Sequence, residues 1–196
     1  MWNERYGAPG FAYGTEPNDF LAEVATRIPA GRVLSIADGE GRNGVHLAAL
    51  GYAVTSVDAS SVGLAKAQRL AESRGVRINT VVADLAEYVI TPGAWEGIVS
   101  IFCHLPPSLR RQVHAQVVRG LVPGGLFVLE SYSAQQLGRG TGGPTSIELL
   151  PTLDLLREEL TGLEWLHAVE IERDVHEGTF HDGLSAVVQV IGRKPE

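Results

Sequence analysis

Apolar and polar residues change rhythm along the chain, and that rhythm predicts its elements. From Arg32 onward, short apolar runs alternate with segments of helical period. Arg32 to Ala37, Ala53 to Asp58, Arg77 to Ala83, Gly97 to Cys103 and Gly125 to Ser131 read as strands. Asn43 to Leu50, Val62 to Arg74 and Ser108 to Leu121 read as the helices between them. Strand, helix, strand at this spacing requires right-handed crossovers and a parallel sheet covered on both faces. After a turn-rich stretch from Gly138 to Pro144, a helix is expected near Ile147 to Leu160. Two long strand-like runs follow, Trp165 to Val175 and Leu184 to Arg193, joined by only about eight residues, so they should pair antiparallel. The expected fold is α/β: a doubly wound, mostly parallel, Rossmann-like sheet of seven strands ending in an antiparallel β-hairpin.

Residues 1–31 hold Pro9, Pro17 and Pro29 and read as a lead-in, with Asn18 and Asp19 placed to cap a short helix over Phe20, Leu21 and Val24. We expect one domain over 1–196: the lead-in, a core over 32–131, and a loop, helix and hairpin over 132–196. At 196 residues and 44% hydrophobic, the chain can build a large core without staples. Sixteen Lys and Arg against 23 Asp and Glu leave a charge of −7 and no basic run, which disfavours nucleic acid and a polybasic membrane anchor as partners. No apolar run approaches bilayer length and no secretory leader is visible, so a cytoplasmic setting is expected. Cys103, the single cysteine, sits beside Ile101 and Phe102 and reads as a small buried hydrophobe.

In a doubly wound sheet the ligand lies outside the carboxyl ends of the strands, so the residues there carry the chemistry. The first such turn runs Ala37-Asp38-Gly39-Glu40-Gly41-Arg42-Asn43-Gly44. Its glycines let the backbone approach a ligand, although glycine turns after strands are common. Asp58 ends the second strand 19 residues after Gly39, where a carboxylate can accept from a ribose diol; it could equally cap the helix beginning near Ser61. Asp84, at the end of the third strand, can accept from an adenine amino group or cap a helix of its own.

These residues resemble the class I S-adenosylmethionine-dependent methyltransferases over nearly the whole chain. Val33 to Asn43 is similar to that family's first motif, in the Gly-Glu-Gly-Arg-Asn form of tellurite-resistance-type members; Gly51 to Asp58 resembles the second, Ala83-Asp84-Leu85 the third, and Leu121-Val122-Pro123-Gly124-Gly125 the turn into strand five. The resemblance implies S-adenosylmethionine across the strand ends. Its methionine part would lie over Ala37 to Gly41, including Gly39, its ribose on Asp58 and its adenine by Asp84, with Asn43, Ala59, Ala83, Leu85 and Phe102 also expected to border the cofactor. The segment Tyr13-Gly14-Thr15-Glu16-Pro17-Asn18 resembles a lead-in that folds over the cofactor. The chain departs from the family at Ser35, usually acidic, and Ala37, usually glycine; Asp38 or Glu40 could supply the missing charge.

Methyl transfer needs alignment, exclusion of water and, for some acceptors, a base. His104, after strand four and stiffened by Pro106-Pro107, and His181, in the hairpin turn, are the candidates. His181 resembles a histidine near the acceptor site of tellurite-resistance-type members. His46 and His114 read as structural or surface residues. A metal site built from His176, Glu177, His181 and Asp182 is not expected; a solvated hairpin is. Amino-methylating nucleic-acid enzymes carry Asn or Asp before Pro-Pro and an aromatic, where this chain reads His104-Leu105-Pro106-Pro107-Ser108. The acceptor expected is therefore a small molecule bearing a thiol, chalcogen oxyanion, hydroxyl or amine, in a site lined by Gly138 to Gly143 and the hairpin turn, and the partner state considered is a homodimer. The rivals are an NAD(P)-dependent oxidoreductase, whose short-chain form needs a tyrosine with a lysine four residues later that is absent here, and a non-catalytic module that only binds the cofactor.

Overall fold

The computed structural model describes residues 2–196. One sheet carries all seven strands: β1 (Arg32–Ile36), β2 (Ala53–Asp58), β3 (Asn79–Val82), β4 (Trp95–Ile101), β5 (Leu121–Tyr132), β6 (Glu164–His176) and β7 (Asp182–Arg193), in the order β3-β2-β1-β4-β5-β7-β6. The first five are parallel, and β7 enters antiparallel between β5 and β6. The strand order reverses at β1, so the connections that follow β1 and β4 leave toward opposite sides of the sheet and open a crevice at the strand ends there. An all-parallel dinucleotide fold would place a parallel sixth strand where β7 lies.

The central strands are apolar because both faces are covered. On one face Leu34, Ile36, Ile98, Phe127 and Leu129 pack with α5 (Pro107–Gly120) and α6 (Leu153–Glu159). On the other, Val33, Val99 and Val128 pack with α2 (Asp19–Val24) and α3 (Arg42–Ala49). Asn18 caps α2 through Leu21 N, Ser60 caps α4 (Ser61–Ser73) through Gly63 N, and Thr152 caps α6 through Leu155 N.

The helix expected over Ile147 to Leu160 is broken. Pro151 has no N–H to donate and pushes Leu150 into an extended conformation, leaving a 3-10 turn at Ile147–Leu149 before α6 begins. The strand expected from Gly125 begins at Leu121, with the Val122 to Gly125 turn absorbed as a register shift between Trp95 and Gly97. The lead-in carries an unexpected first helix, α1 (Trp2–Gly7), lying against α4; Asn3 Oδ1 accepts from Ser60 Oγ and Tyr6 is buried. Among the described residues no helix is long and apolar enough to cross a membrane.

Candidate active site

The turn after β1 is held by its own acids. Asp38 is buried with its carboxylate under the start of α3, accepting from Ser35 Oγ at 2.7 Å, Ser56 Oγ at 2.6 Å and Gly44 N at 3.2 Å. It supplies the side-chain acceptor for α3 that Gly41, at the N-cap, cannot. Burial pushes its carboxyl up, opposed by the Ser56 and Ser35 hydroxyls and the Gly44 amide. Asp38, three positions along the chain, thus folds back to bond Ser35 itself. Glu40 is differently occupied: it accepts from Lys66 Nζ at 2.8 Å and from Ala12 N at 2.7 Å, tying the lead-in down.

Asp58 lies beside this turn. Its Oδ2 accepts from Gly39 N at 2.9 Å and its Oδ1 from Ser60 N at 2.8 Å; burial raises its carboxyl, opposed by these two amides. The cap of α4 belongs to Ser60, so that competing role for Asp58 falls away. Ala83 N donates to Asp58 O at 3.0 Å, which places the third strand end against the second. Asp84 is exposed and its Oδ1 accepts from Ala86 N at 2.8 Å in a local turn; Leu85 is buried beside it, and Ala59 is exposed. Asn43 Oδ1 accepts from Asn18 N at 2.9 Å, so it pins the lead-in to α3.

Two non-glycine residues among those described have positive φ, and both end strands at this rim: Ala37 (51°) after β1 and Phe102 (50°) after β4. Such strain persists where surrounding structure enforces it, as at ligand sites. Phe102 opens an aromatic cluster. Its ring lies 4.5 Å from Tyr132 and 4.7 Å from His181, while His181 lies 4.6 Å from Tyr13 and 5.2 Å from Tyr132. His104 stacks on Tyr132 at 5.7 Å. The structure thus brings His104, His181, Tyr13 and Phe102 together from separate segments. The glycine-rich loop closes over them: Gly142 has φ +135°, and a Cβ there would come within 2.5 Å of Tyr132 Oη.

Both histidines are held neutral. Burial drives His104 down to about 4, against the hydrogen bond to Leu149 O and with His181 and Arg110 adding to the fall. Burial also lowers His181, against Glu177, whose Oε2 is 3.9 Å from Nδ1, beyond hydrogen-bonding distance. Cys103 is half-buried against the core, and burial, helped by the Asp58 charge, pushes its thiol up to about 12.

The hairpin turn is not the solvated loop expected. His176 and Asp182 do pair in solvent, at 2.6 Å, but Glu177 and His181 turn inward. Glu177 accepts from Asn18 Nδ2 at 2.8 Å and from Arg42 Nη2, and Glu130 at the end of β5 accepts from Asn18, Arg173 and Gln189. This network and Tyr6 escaped the sequence reading. Tyr132 was within reach of it, since the rule that singled out Asp58 and His104 also applies to the end of β5.

The strand order and reversed β7 define a class I methyltransferase fold. Residues 33–125 match a protein-family model described as a methyltransferase domain. No curated protein matches the sequence. Solved structures agree in fold. One, described under the conversion of a disulfide bond into a thioacetal group during echinomycin biosynthesis, is 22% identical over 92% of this chain and 83% of its own, with a TM-score of 0.75. TehB from Haemophilus influenzae is 20% identical over 98% of this chain and 65% of its own, at 0.75. The N-methyltransferase NodS from Bradyrhizobium japonicum WM9 is 16% identical over 91% and 96%, at 0.70.

The cofactor of this domain is S-adenosylmethionine, and the residues present fit it. Asp38 and Asp58 are buried acids whose hydrogen bonds here come from hydroxyls and amides rather than from a cation, an environment that favours a sulfonium and an ammonium.

Proposed function

We propose that the protein transfers a methyl group from S-adenosylmethionine to a small-molecule acceptor. The observation that carries this reading is the convergence, on one sheet rim, of two buried acids beside the glycine turn and two neutral imidazoles beside the aromatic cluster. When bound, the cofactor supplies an electrophilic methyl on a positively charged sulfur. In this reading Asp58 accepts from the ribose, Asp84, Ala83 and Leu85 border the adenine, and the Ala37 to Gly41 turn with Asp38 beneath it faces the methionine end. Tyr13 and Phe102 stand between cofactor and acceptor, and the lead-in and the loop over Tyr132 exclude water. His104 and His181 line the acceptor side, where a neutral imidazole can receive a proton. A module that merely held the cofactor would have no use for buried, neutral histidines there.

Asp58→Ala should weaken binding of S-adenosylhomocysteine by about 1.5 to 3 kcal/mol, on the order of 10- to 150-fold, because charge-assisted hydrogen bonds go. Isothermal titration measures it, and an unchanged dissociation constant removes Asp58 from the site.

A further inference from the structure

Two hydrogen-bonding facts and one of charge, all at the aromatic cluster, restrict what the acceptor can be. The first is the tautomer of His104. Its Nδ1 is 3.3 Å from Leu149 O, which only accepts, and 3.4 Å from Ser131 Oγ, whose own proton goes to Tyr132 O at 3.3 Å, so in the neutral ring Nδ1 carries the proton and Nε2 is a bare lone pair. That Nε2 is buried and has no partner. The second is Tyr132, fully buried, with an unpartnered hydroxyl whose Oη the loop at Gly142 faces. Neighbouring Ser185 Oγ is turned instead to Gly183 O at 3.0 Å and to Thr141 Oγ1 at 3.0 Å. Burial raises the Tyr132 phenol, so it stays protonated and offers a donor.

The third fact is charge. The cations bordering the cluster from inside are matched by carboxylates: Arg42 by Glu177, Arg173 by Glu130 and Glu177, and Arg110, whose charge reaches His104, by Glu159. Arg5 lies outside, exposed, donating to Tyr13 Oη and stacked on Phe180. The interior around His104 and Tyr132 therefore offers neither a spare positive charge for an oxyanion nor a spare carboxylate for an ammonium.

Resting on the methyl-transfer reading, we infer that the acceptor is a small uncharged molecule bearing a hydroxyl or a thiol, whose X–H donates to His104 Nε2 and whose lone pair accepts from Tyr132 Oη. The count of lone pairs selects these groups. An uncharged oxygen or sulfur of this kind has one hydrogen and two lone pairs: the hydrogen meets Nε2, one pair meets the tyrosine, and the other is left to attack. A neutral amine has a single pair and cannot both accept from Tyr132 and attack. An ionised chalcogen oxyanion brings charge that nothing here answers. As the free pair bonds the methyl carbon, the carbon–sulfur pair leaves with sulfur as the neutral thioether. The acceptor atom becomes positively charged, and its proton passes to Nε2. So weak a base suits a proton that becomes acidic only as the new bond forms.

The test uses the full chain loaded with S-adenosylhomocysteine and titrates it calorimetrically with benzyl alcohol, phenol and benzyl mercaptan, against benzoate, selenite and benzylammonium. At least one uncharged probe should bind about tenfold or more tighter than every charged one. It should also shift the nitrogen-15 resonance of His104 Nε2. Tyr132→Phe, which keeps the stacked ring, should weaken that probe about five- to tenfold, and His104→Phe should do the same, while both leave S-adenosylhomocysteine affinity within about twofold. A charged probe binding as tightly, no uncharged probe binding, or a Tyr132→Phe protein that binds the probe as well as the wild type overturns this assignment and leaves the methyl-transfer reading standing. Failure of the wild type to bind S-adenosylhomocysteine overturns both.

Discussion

Glu177→Gln is the substitution whose cost the structure specifies best. The carboxylate sits in the hairpin turn, buried, and joins three distant segments: Asn18 of the lead-in at 2.8 Å, Arg42 at the start of α3, and Arg173 of β6 at 3.3 Å. Burial works to raise its carboxyl; the groups that bond it directly, Arg42 and Asn18, outweigh burial and hold it down to about 2, against 4.5 for a free glutamate. That difference corresponds to about 3 kcal/mol favouring the charged form in the folded state, within the 3 to 5 kcal/mol usual for removing one partner of a buried ion pair. The amide introduced by the substitution keeps one acceptor but turns N–H groups toward a guanidinium, so little is recovered. The sign follows from the depressed carboxyl: its contribution is complete above pH 4.5 and drains away as pH falls toward 2. Urea unfolding at pH 7 should show the variant about 3 kcal/mol less stable. Across pH 5 to 2 the variant should lack a loss of that size that the wild type suffers. A variant within about 1 kcal/mol of wild type at pH 7, or one with the same acid slope, refutes the claim that this carboxylate holds the hairpin to the lead-in.

Two further outcomes follow from the glycine turn. Gly41 has φ +86°, and a Cβ there would lie 2.4 Å from Ala67 Cβ, so Gly41→Ala combines left-handed strain with overpacking, about 3 kcal/mol in all. Calorimetry should show a melting temperature lower by roughly 10 °C, partly restored by Ala67→Gly; no drop would mean the turn is looser than drawn. Asp38 has a raised carboxyl, so its sign is opposite to that of Glu177: the free protein should lose stability as pH rises from 3.8 toward neutrality, and Asp38→Asn should flatten that part of the profile. An identical profile for Asp38→Asn would show that the carboxyl is not raised.

The architecture was legible because each layer of the sheet announces itself locally. Apolar runs such as Val33-Leu34-Ser35-Ile36, short and set between turns, read as strands covered on both faces, and the Asn18 cap sits where capping chemistry places it, whereas the cap of α4 falls on Ser60 and not on Asp58. The misses have local causes too. Pro151 lay inside a helical rhythm, and the apolar count over Ile147 to Leu160 hid its effect on Leu150. The short α1 has too few residues to show a period at all. Of the candidate site, the rim positions of the glycines, Asp58 and His104 could be read from their place at strand ends. The partners of Glu177 could not, because Asn18 and Arg42 lie 159 and 135 residues from it and meet it only through the fold. Equally invisible was the return of Asp38 to Ser35, which needs the turn's positive φ at Ala37 to fold the carboxylate back.

That return also explains why the rim divides so sharply in charge. Around the glycine turn, Asp38 and Asp58 are buried with hydroxyl and amide donors, and Lys66, the cation near them, is engaged by Glu40 and by the lead-in carbonyls of Ala8 and Gly10. A few residues away, around Glu130 and Glu177, every carboxylate meets a guanidinium. The first arrangement costs stability until a cation arrives; the second is complete by itself. In the proposed reading the cofactor's sulfonium and ammonium face the first side of the rim, and the second side, with its charges already matched, is left to the acceptor. Because Asn18 and Asn43 bond each other across the lead-in, and Asn18 also bonds both Glu130 and Glu177, the segment that covers the first side is anchored in the second. In the proposed reading, the segment that covers the cofactor is thus tied by the same hydrogen bonds to the acceptor side, and both parts of the rim exclude water through one anchored lead-in.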